Sequence, residues 1–128
     1  MKILVVDDSP IQQKIAAFCL SELGEIVKSD SVKGATLQLM TSLKSKEPFN
    51  LIALDFNLGD GNGFDLVHKL RNMESAFHAN PCRVVYITAS LDGDSIQDQC
   101  SEYETVLAKP IKLDKVLEKL KELNLEVK

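Results

Sequence analysis

Three aspartates, a threonine and a lysine carry the chemistry available to this chain. Asp7 and Asp8 stand side by side near the start. Asp55, Thr88 and Lys109 each follow an apolar run further along. Three carboxylates gathered in one crevice repel each other, so either their pKa values rise or a cation neutralises them. A hard divalent ion with oxygen ligands answers that need, and Mg²⁺ suits a site the protein cages only in part. Lys109 adds one positive charge and Thr88 one hydroxyl donor. A carboxylate surrounded by a metal, an ammonium and a hydroxyl is suited to a transferring phosphoryl group. Asp55 is the candidate nucleophile, because it falls between the acid pair and Lys109.

These residues converge only if the chain places them together. Ile3–Val6, Leu51–Leu54 and Val84–Ile87 are continuous apolar runs without alternation. Strands covered on both faces of a parallel sheet read this way. Glu25–Ser29 and Thr105–Ala108 are weaker strand candidates. Helices fill the gaps. The first starts at an Ser9 cap with Pro10 in the first position and Gln12 completing a capping box, and Gly24 marks its stop. Its stripe of Ile11, Ile15, Phe18, Cys19 and Leu23 is expected to face inward. The second covers about 31–45, with Val32, Ala35, Leu39 and Leu43 inward. The third runs from about 64 to 75 through Val67, Leu70 and Met73. A short fourth spans about 94–102, and the last about 112–123 through Leu113, Val116, Leu117 and Leu120. Strict alternation of five strands and five helices predicts an α/β doubly wound parallel sheet with helices on both faces. Asp7, Asp8, Asp55, Thr88 and Lys109 then all lie at the carboxyl edge, where ligand sites form in such sheets.

Composition narrows the function classes. The 128 residues predict one domain over 1–128 with no effector domain. Net charge is −4, divided evenly between the two halves, so no basic patch recommends direct nucleic-acid binding. No apolar run is long enough for a membrane span, and acids follow the first strand too soon for a signal peptide. Cys19, Cys82 and Cys100 are odd in number and scattered, which suits a reducing, cytoplasmic setting rather than disulfides or zinc. His68 and His78 have no ligand-like spacing, and the alternating lysines and acids of the last helix read as an ordinary solvated face.

Together these residues resemble the receiver domain of two-component response regulators, over about residues 2–123. The match rests on Asp7-Asp8 after strand one, Asp55 after strand three, Thr88 after strand four and Lys109-Pro110 after strand five. The resemblance implies a flavodoxin-like (βα)₅ fold with strand order 2-1-3-4-5. It implies that Asp55 accepts a phosphoryl group from a phosphohistidine on a histidine kinase or phosphotransfer protein. Asp8 would bind Mg²⁺ directly, Asp7 mainly through water, and the Asn57 backbone carbonyl would complete the protein ligands. Lys109 would pair with Asp55 and later with the phosphoryl group. Thr88 would swing to a phosphoryl oxygen. A cis Lys109–Pro110 bond would aim the lysine inward. Asn57 and Ser90 would tune the lifetime of the modified state.

The chain departs from the family pattern at two places. Gly59 replaces the usual proline four residues after the acceptor, and with Gly61 and Gly63 it predicts a mobile loop. Val106 stands where the family has its conformational aromatic, three residues before the lysine. Output is then expected through the loop after Thr88 and helix four. The expected protein is a phosphoacceptor switch, not an enzyme beyond its own phosphoryl gain and loss. It would act by protein–protein contact as a monomer or weak dimer. The alternative is a non-phosphorylated interaction module of the same fold. Other readings fit less well. A calcium loop over 55–66 lacks its glycine and glutamate, which are Asp60 and Leu66 here. An aspartate-nucleophile phosphatase wants a second acid where Asn57 stands.

Overall fold

The structure is a computed structural model and describes residues 1–89 and 93–125. Strands β1 (Lys2–Val6), β2 (Glu25–Ser29), β3 (Leu51–Asp55), β6 (Arg83–Thr88) and β7 (Glu104–Ala108) form one parallel sheet in the order β2-β1-β3-β6-β7. Counted as sheet strands, that is 2-1-3-4-5, the flavodoxin-like order expected. Helices α1 (Pro10–Leu20), α2 (Val32–Lys44), α3 (Gly63–Ala76), α4 (Gly93–Gln97) and α5 (Leu113–Glu122) fill the crossovers. A two-stranded hairpin, β4 (Asn57–Leu58) with β5 (Gly61–Asn62), lies between β3 and α3. Periodicity gave no sign of it, because two-residue strands carry no pattern.

Alternation along each strand splits the core in two. Leu4, Val6, Ile52, Leu54, Val84 and Tyr86 face the α2–α3–α4 side, where they pack against Val32, Leu39, Leu66 and Leu70. Ile3, Val5, Leu51, Ala53, Val85 and Ile87 face the α1–α5 side, against Ala16, Leu20, Val116 and Leu120. Most of these side chains are fully buried, each stabilising the fold by about 1.5–3 kcal/mol of hydrophobic transfer. The central strands are apolar on both faces for this reason.

The first helix corrects the expected orientation. Ile11, Ile15 and Phe18 point outward, 70%, 45% and 84% exposed. The inward residues are Ala16, Ala17 and Leu20. Small alanines let α1 lie close to the sheet, whereas the stripe of larger residues sits on the opposite side of the helix. Apolar spacing finds a stripe but does not say which side meets the core. The helix also ends earlier than expected, at Leu20 with Ser21 as its cap, and Gly24 lies in the turn beyond it. At its start the Ser9 hydroxyl accepts from the Gln12 N–H at 3.4 Å, with Pro10 in the first turn. Among the described residues no reciprocal bond from the Gln12 side chain closes a capping box, and the Ser9 N–H donates instead to Asp7 Oδ1 at 2.9 Å. Helix α4 stops at Gln97, well short of residue 102.

Candidate functional site

The parallel register brings the strand ends level. Val6 pairs with Leu54, Asp55 with Ile87, and Thr88 with Ala108. Backbone bonds extend this order beyond the strands. Asp7 N–H donates to Ser29 O, Phe56 N–H to Ile87 O, and Lys109 N–H to Thr88 O. The first and third strands are neighbours, so their terminal acids share a crevice.

Asp7, Asp8 and Asp55 each present a carboxylate oxygen, all within 4.8 Å of one another. Asp7 and Asp55 are buried and Asp8 is exposed. Lys109 Nζ lies 3.4 Å from Asp55 Oδ1. Burial pushes the Asp55 carboxyl above its ordinary value, and the Asp7 and Asp8 charges push the same way. Lys109 opposes them without cancelling them. Three carboxylates against one ammonium leave the crevice with surplus negative charge. Three converging oxygens from hard ligands match the donor set for Mg²⁺. The donor chemistry therefore fits the ion.

Thr88 completes the ring of side chains. Its Oγ1 is buried and has no hydrogen-bond partner among the described residues. An unpaired buried hydroxyl is costly, and this one stands at the strand edge where the acids and Lys109 converge. The Lys109–Pro110 peptide bond is cis. Asn57 lies in β4, two residues beyond Asp55, and Gly59 approaches Asp8 to within 4.0 Å of the place its Cβ would occupy. Ser90 lies outside the described residues.

The glycine loop is fastened to both helices that flank it. Asp60 accepts from the Val32 and Lys33 N–H groups at 2.8 and 3.0 Å, fastening the loop to the start of α2. Those donors hold the Asp60 carboxyl below its ordinary value. Asn62 and Asp65 form a reciprocal capping box on α3. Gly63 N–H donates to Phe56 O at 2.7 Å. Sequence reading missed Asp60, because nothing local marks an acid as the cap of a helix some thirty residues earlier. It also missed Gln13, whose side-chain amide donates to Ser29 O at 2.9 Å and braces the turn below Asp7. The Asn62–Asp65 box was present in the spacing.

The Cys82 thiol is buried, and burial raises its pKa strongly. Cys19 and Cys100 are half-buried, and all three are free. His68 and His78 are exposed. The ion pairs on α5 are i,i+3, Lys115–Glu118 at 3.9 Å and Lys119–Glu122 at 3.7 Å.

A five-stranded doubly wound sheet with this acid, hydroxyl and lysine constellation defines a receiver-type fold. The chain belongs to the response regulator receiver domain family, whose model matches residues 3–121. It is a receiver domain of two-component signalling. It is similar to the sensory transduction protein LytR of Staphylococcus haemolyticus, 28% identical over 120 residues, covering 91% of this chain and 42% of that protein. The transcriptional regulatory protein LytR of Staphylococcus aureus is 30% identical over 92 residues, covering 70% of this chain and 33% of that one. The chain thus spans less than half the length of these curated relatives. Among solved structures, the receiver domain of the Arabidopsis thaliana histidine kinase CKI1, complexed with Mg²⁺ and BeF₃⁻, superposes with a TM-score of 0.82. It is 21% identical, and the match covers 96% of this chain and 89% of that one. A two-component response regulator from Cytophaga hutchinsonii gives 0.80 at 21% identity, covering 96% of each chain. No helix among the described residues is long and apolar enough to cross a membrane.

Proposed function

We propose that this chain is a phosphoacceptor switch of a two-component phosphorelay, with Asp55 as the acceptor. The carrying observation is the convergence of three carboxylate oxygens within 4.8 Å, with Lys109 at 3.4 Å from Asp55. An Asp55 carboxylate oxygen attacks the phosphorus of a phosphohistidine. A P–O bond forms, the P–N bond breaks, and the imidazole leaves with the electron pair and takes up a proton. Asp7, Asp8 and Asp55, with the Asn57 carbonyl, would hold Mg²⁺, which when bound neutralises charge on the phosphoryl oxygens. Lys109 supplies a second positive charge to the same oxygens, and Thr88 offers its free hydroxyl. The chain is a carrier rather than an enzyme, because the group ends on the protein itself.

The phosphodonor is a histidine kinase or phosphotransfer protein in the cytoplasm. The outward stripe of Ile11, Ile15 and Phe18 supports a protein donor. It starts three residues past Asp8 and runs about 10 Å along α1, at 1.5 Å per residue. An apolar stripe facing away from the core adds nothing to folding and marks a contact surface. Incubation with acetyl phosphate and Mg²⁺, read by intact-mass spectrometry, tests the acceptor. One phosphoryl group should be gained by the wild type and none by Asp55→Asn. An unmodified wild type would favour the non-phosphorylated module instead.

A further inference from the structure

Val106 leaves this receiver without the side chain that its family turns inward beside the threonine. Val106 is buried and small, and it pairs in register with Tyr86 on β6. Tyr86 is itself fully buried, two residues before Thr88 and therefore on the same face of the sheet. Its ring meets Phe56 edge-on at 5.9 Å between centroids and Phe64 at 5.6 Å, and those two rings meet at 4.9 Å. Phe56 directly follows Asp55, and Phe64 is the second residue of α3. The contact is close enough to require glycine at 63, since a Cβ there would sit 2.8 Å from the Tyr86 ring.

The same loop is wedged against two helices. A Cβ on Gly61 would sit 2.9 Å from Asp65 Oδ2 and 3.2 Å from Val32 Cγ2. Asp60 holds the first two N–H groups of α2. Tyr86, the Phe56 that follows Asp55 and the starts of α2 and α3 are therefore joined by packing and hydrogen bonds, and Thr88 lies two residues along the same strand from Tyr86. Packed interiors transmit displacement because they leave no slack.

We infer that Tyr86 is the positioning residue that carries the phosphorylation signal from Thr88 to α3, and through Asp60 to α2, in place of an aromatic at position 106. This rests on the phosphoacceptor reading above. Modification of Asp55 draws the Thr88 hydroxyl to the new oxygens. The end of β6 moves with it, and Tyr86 presses on Phe56, Phe64 and Gly63.

The test uses beryllium fluoride with Mg²⁺ as the phosphoryl analogue. Fluorine NMR reports occupancy of Asp55, and hydrogen exchange reports backbone response. In the wild type, exchange should change at residues 61–66 and 32–34. Tyr86→Leu should keep the fluorine signal and lose both responses, and Tyr86→Phe should restore them. Asp60→Ala should keep the α3 response and lose that of α2. Should Tyr86→Leu fail to fold, the half-buried Phe64→Leu takes its place with the same expectation. A wild-type response confined to α4 and β7, or one unaltered in the leucine variant, overturns the inference while leaving Asp55 as acceptor. Absence of any bound fluorine signal in the wild type overturns the acceptor reading, and the inference with it.

Discussion

The Lys109 ammonium reaches to 3.4 Å from Asp55 Oδ1 across the carboxyl edge of the sheet, from β7 side to β3, past the intervening strand β6. Yet the Asp55 carboxyl stays above its ordinary value, because burial and the Asp7 charge outweigh the lysine. The ionised Asp55 carboxylate therefore costs stability. Its folded pKa lies above the unfolded one, so folding is favoured at low pH and the advantage fades as pH rises through the folded value. Asp55→Asn should stabilise the metal-free protein at neutral pH by about 1 kcal/mol, or roughly 3 °C in Tm. Lys109→Ala should lose stability and phosphoryl acceptance together. Thermal melts and phosphorylation assays on both variants check this pair of opposite signs.

Magnesium should act on the same surplus charge. A ligand that binds only the native state stabilises by mass action, by about 2.7 kcal/mol at a hundredfold excess over its Kd. Adding Mg²⁺ should raise the wild-type Tm, and a chelator should return it. Asp8→Ala removes the exposed member of the acid triad, so its Tm should no longer respond. Calorimetric titration of both proteins measures the difference directly.

The sheet and the acidic crevice were legible because their signals are local. Leu51–Leu54 and Val84–Ile87 are apolar throughout since both faces are covered, and each ends in a polar residue at the edge. Side-chain direction on α1 was not legible. Ile11, Ile15 and Phe18 satisfy helical spacing as well as any core stripe, and only the sheet decides that Ala16, Ala17 and Leu20 approach it. The grip of Asp60 on α2 was equally hidden. It depends on a crossover that brings residues 32 and 60 together, and three nearby glycines suggest looseness instead.

The α1 stripe makes a prediction that separates folding from recognition. Phe18→Ser and Ile11→Ser alter exposed side chains, so stability should stay within about 0.5 kcal/mol of wild type. Phosphorylation by acetyl phosphate should be unchanged, since a small donor needs no docking surface. Transfer from a phosphohistidine protein should slow at least about tenfold if the two substitutions remove roughly 1.4 kcal/mol of contact. Equal slowing with both donors would place the stripe in the fold rather than the interface.

At the opposite end of the sheet, Arg71 ties three elements by charge. It donates to Glu74 Oε1 at 2.8 Å, to Glu104 Oε2 at 2.6 Å and to the Cys82 carbonyl at 2.9 Å. Glu74 in turn accepts from Cys82 N–H, and Glu104 from the Ser101 N–H and hydroxyl. Burial alone would raise the Glu104 pKa, but the Ser101 and Arg71 hydrogen bonds overcome it and hold it below the ordinary 4.5. A depressed folded pKa gives stability that is full above the unfolded value and is lost as pH falls through the folded one. Acid unfolding of the wild type should therefore steepen below about pH 4.5, and in Glu104→Gln that component should shrink. Arg71→Met leaves two buried carboxylates facing each other without their cation. It should cost about 3 kcal/mol at neutral pH, the lower end of the range for a broken buried pair, because Arg71 is a quarter exposed. Lowering the pH should return part of that loss to Arg71→Met as Glu104 takes up a proton, whereas the wild type only weakens. Denaturant melts of both proteins at neutral and mildly acidic pH should thus converge.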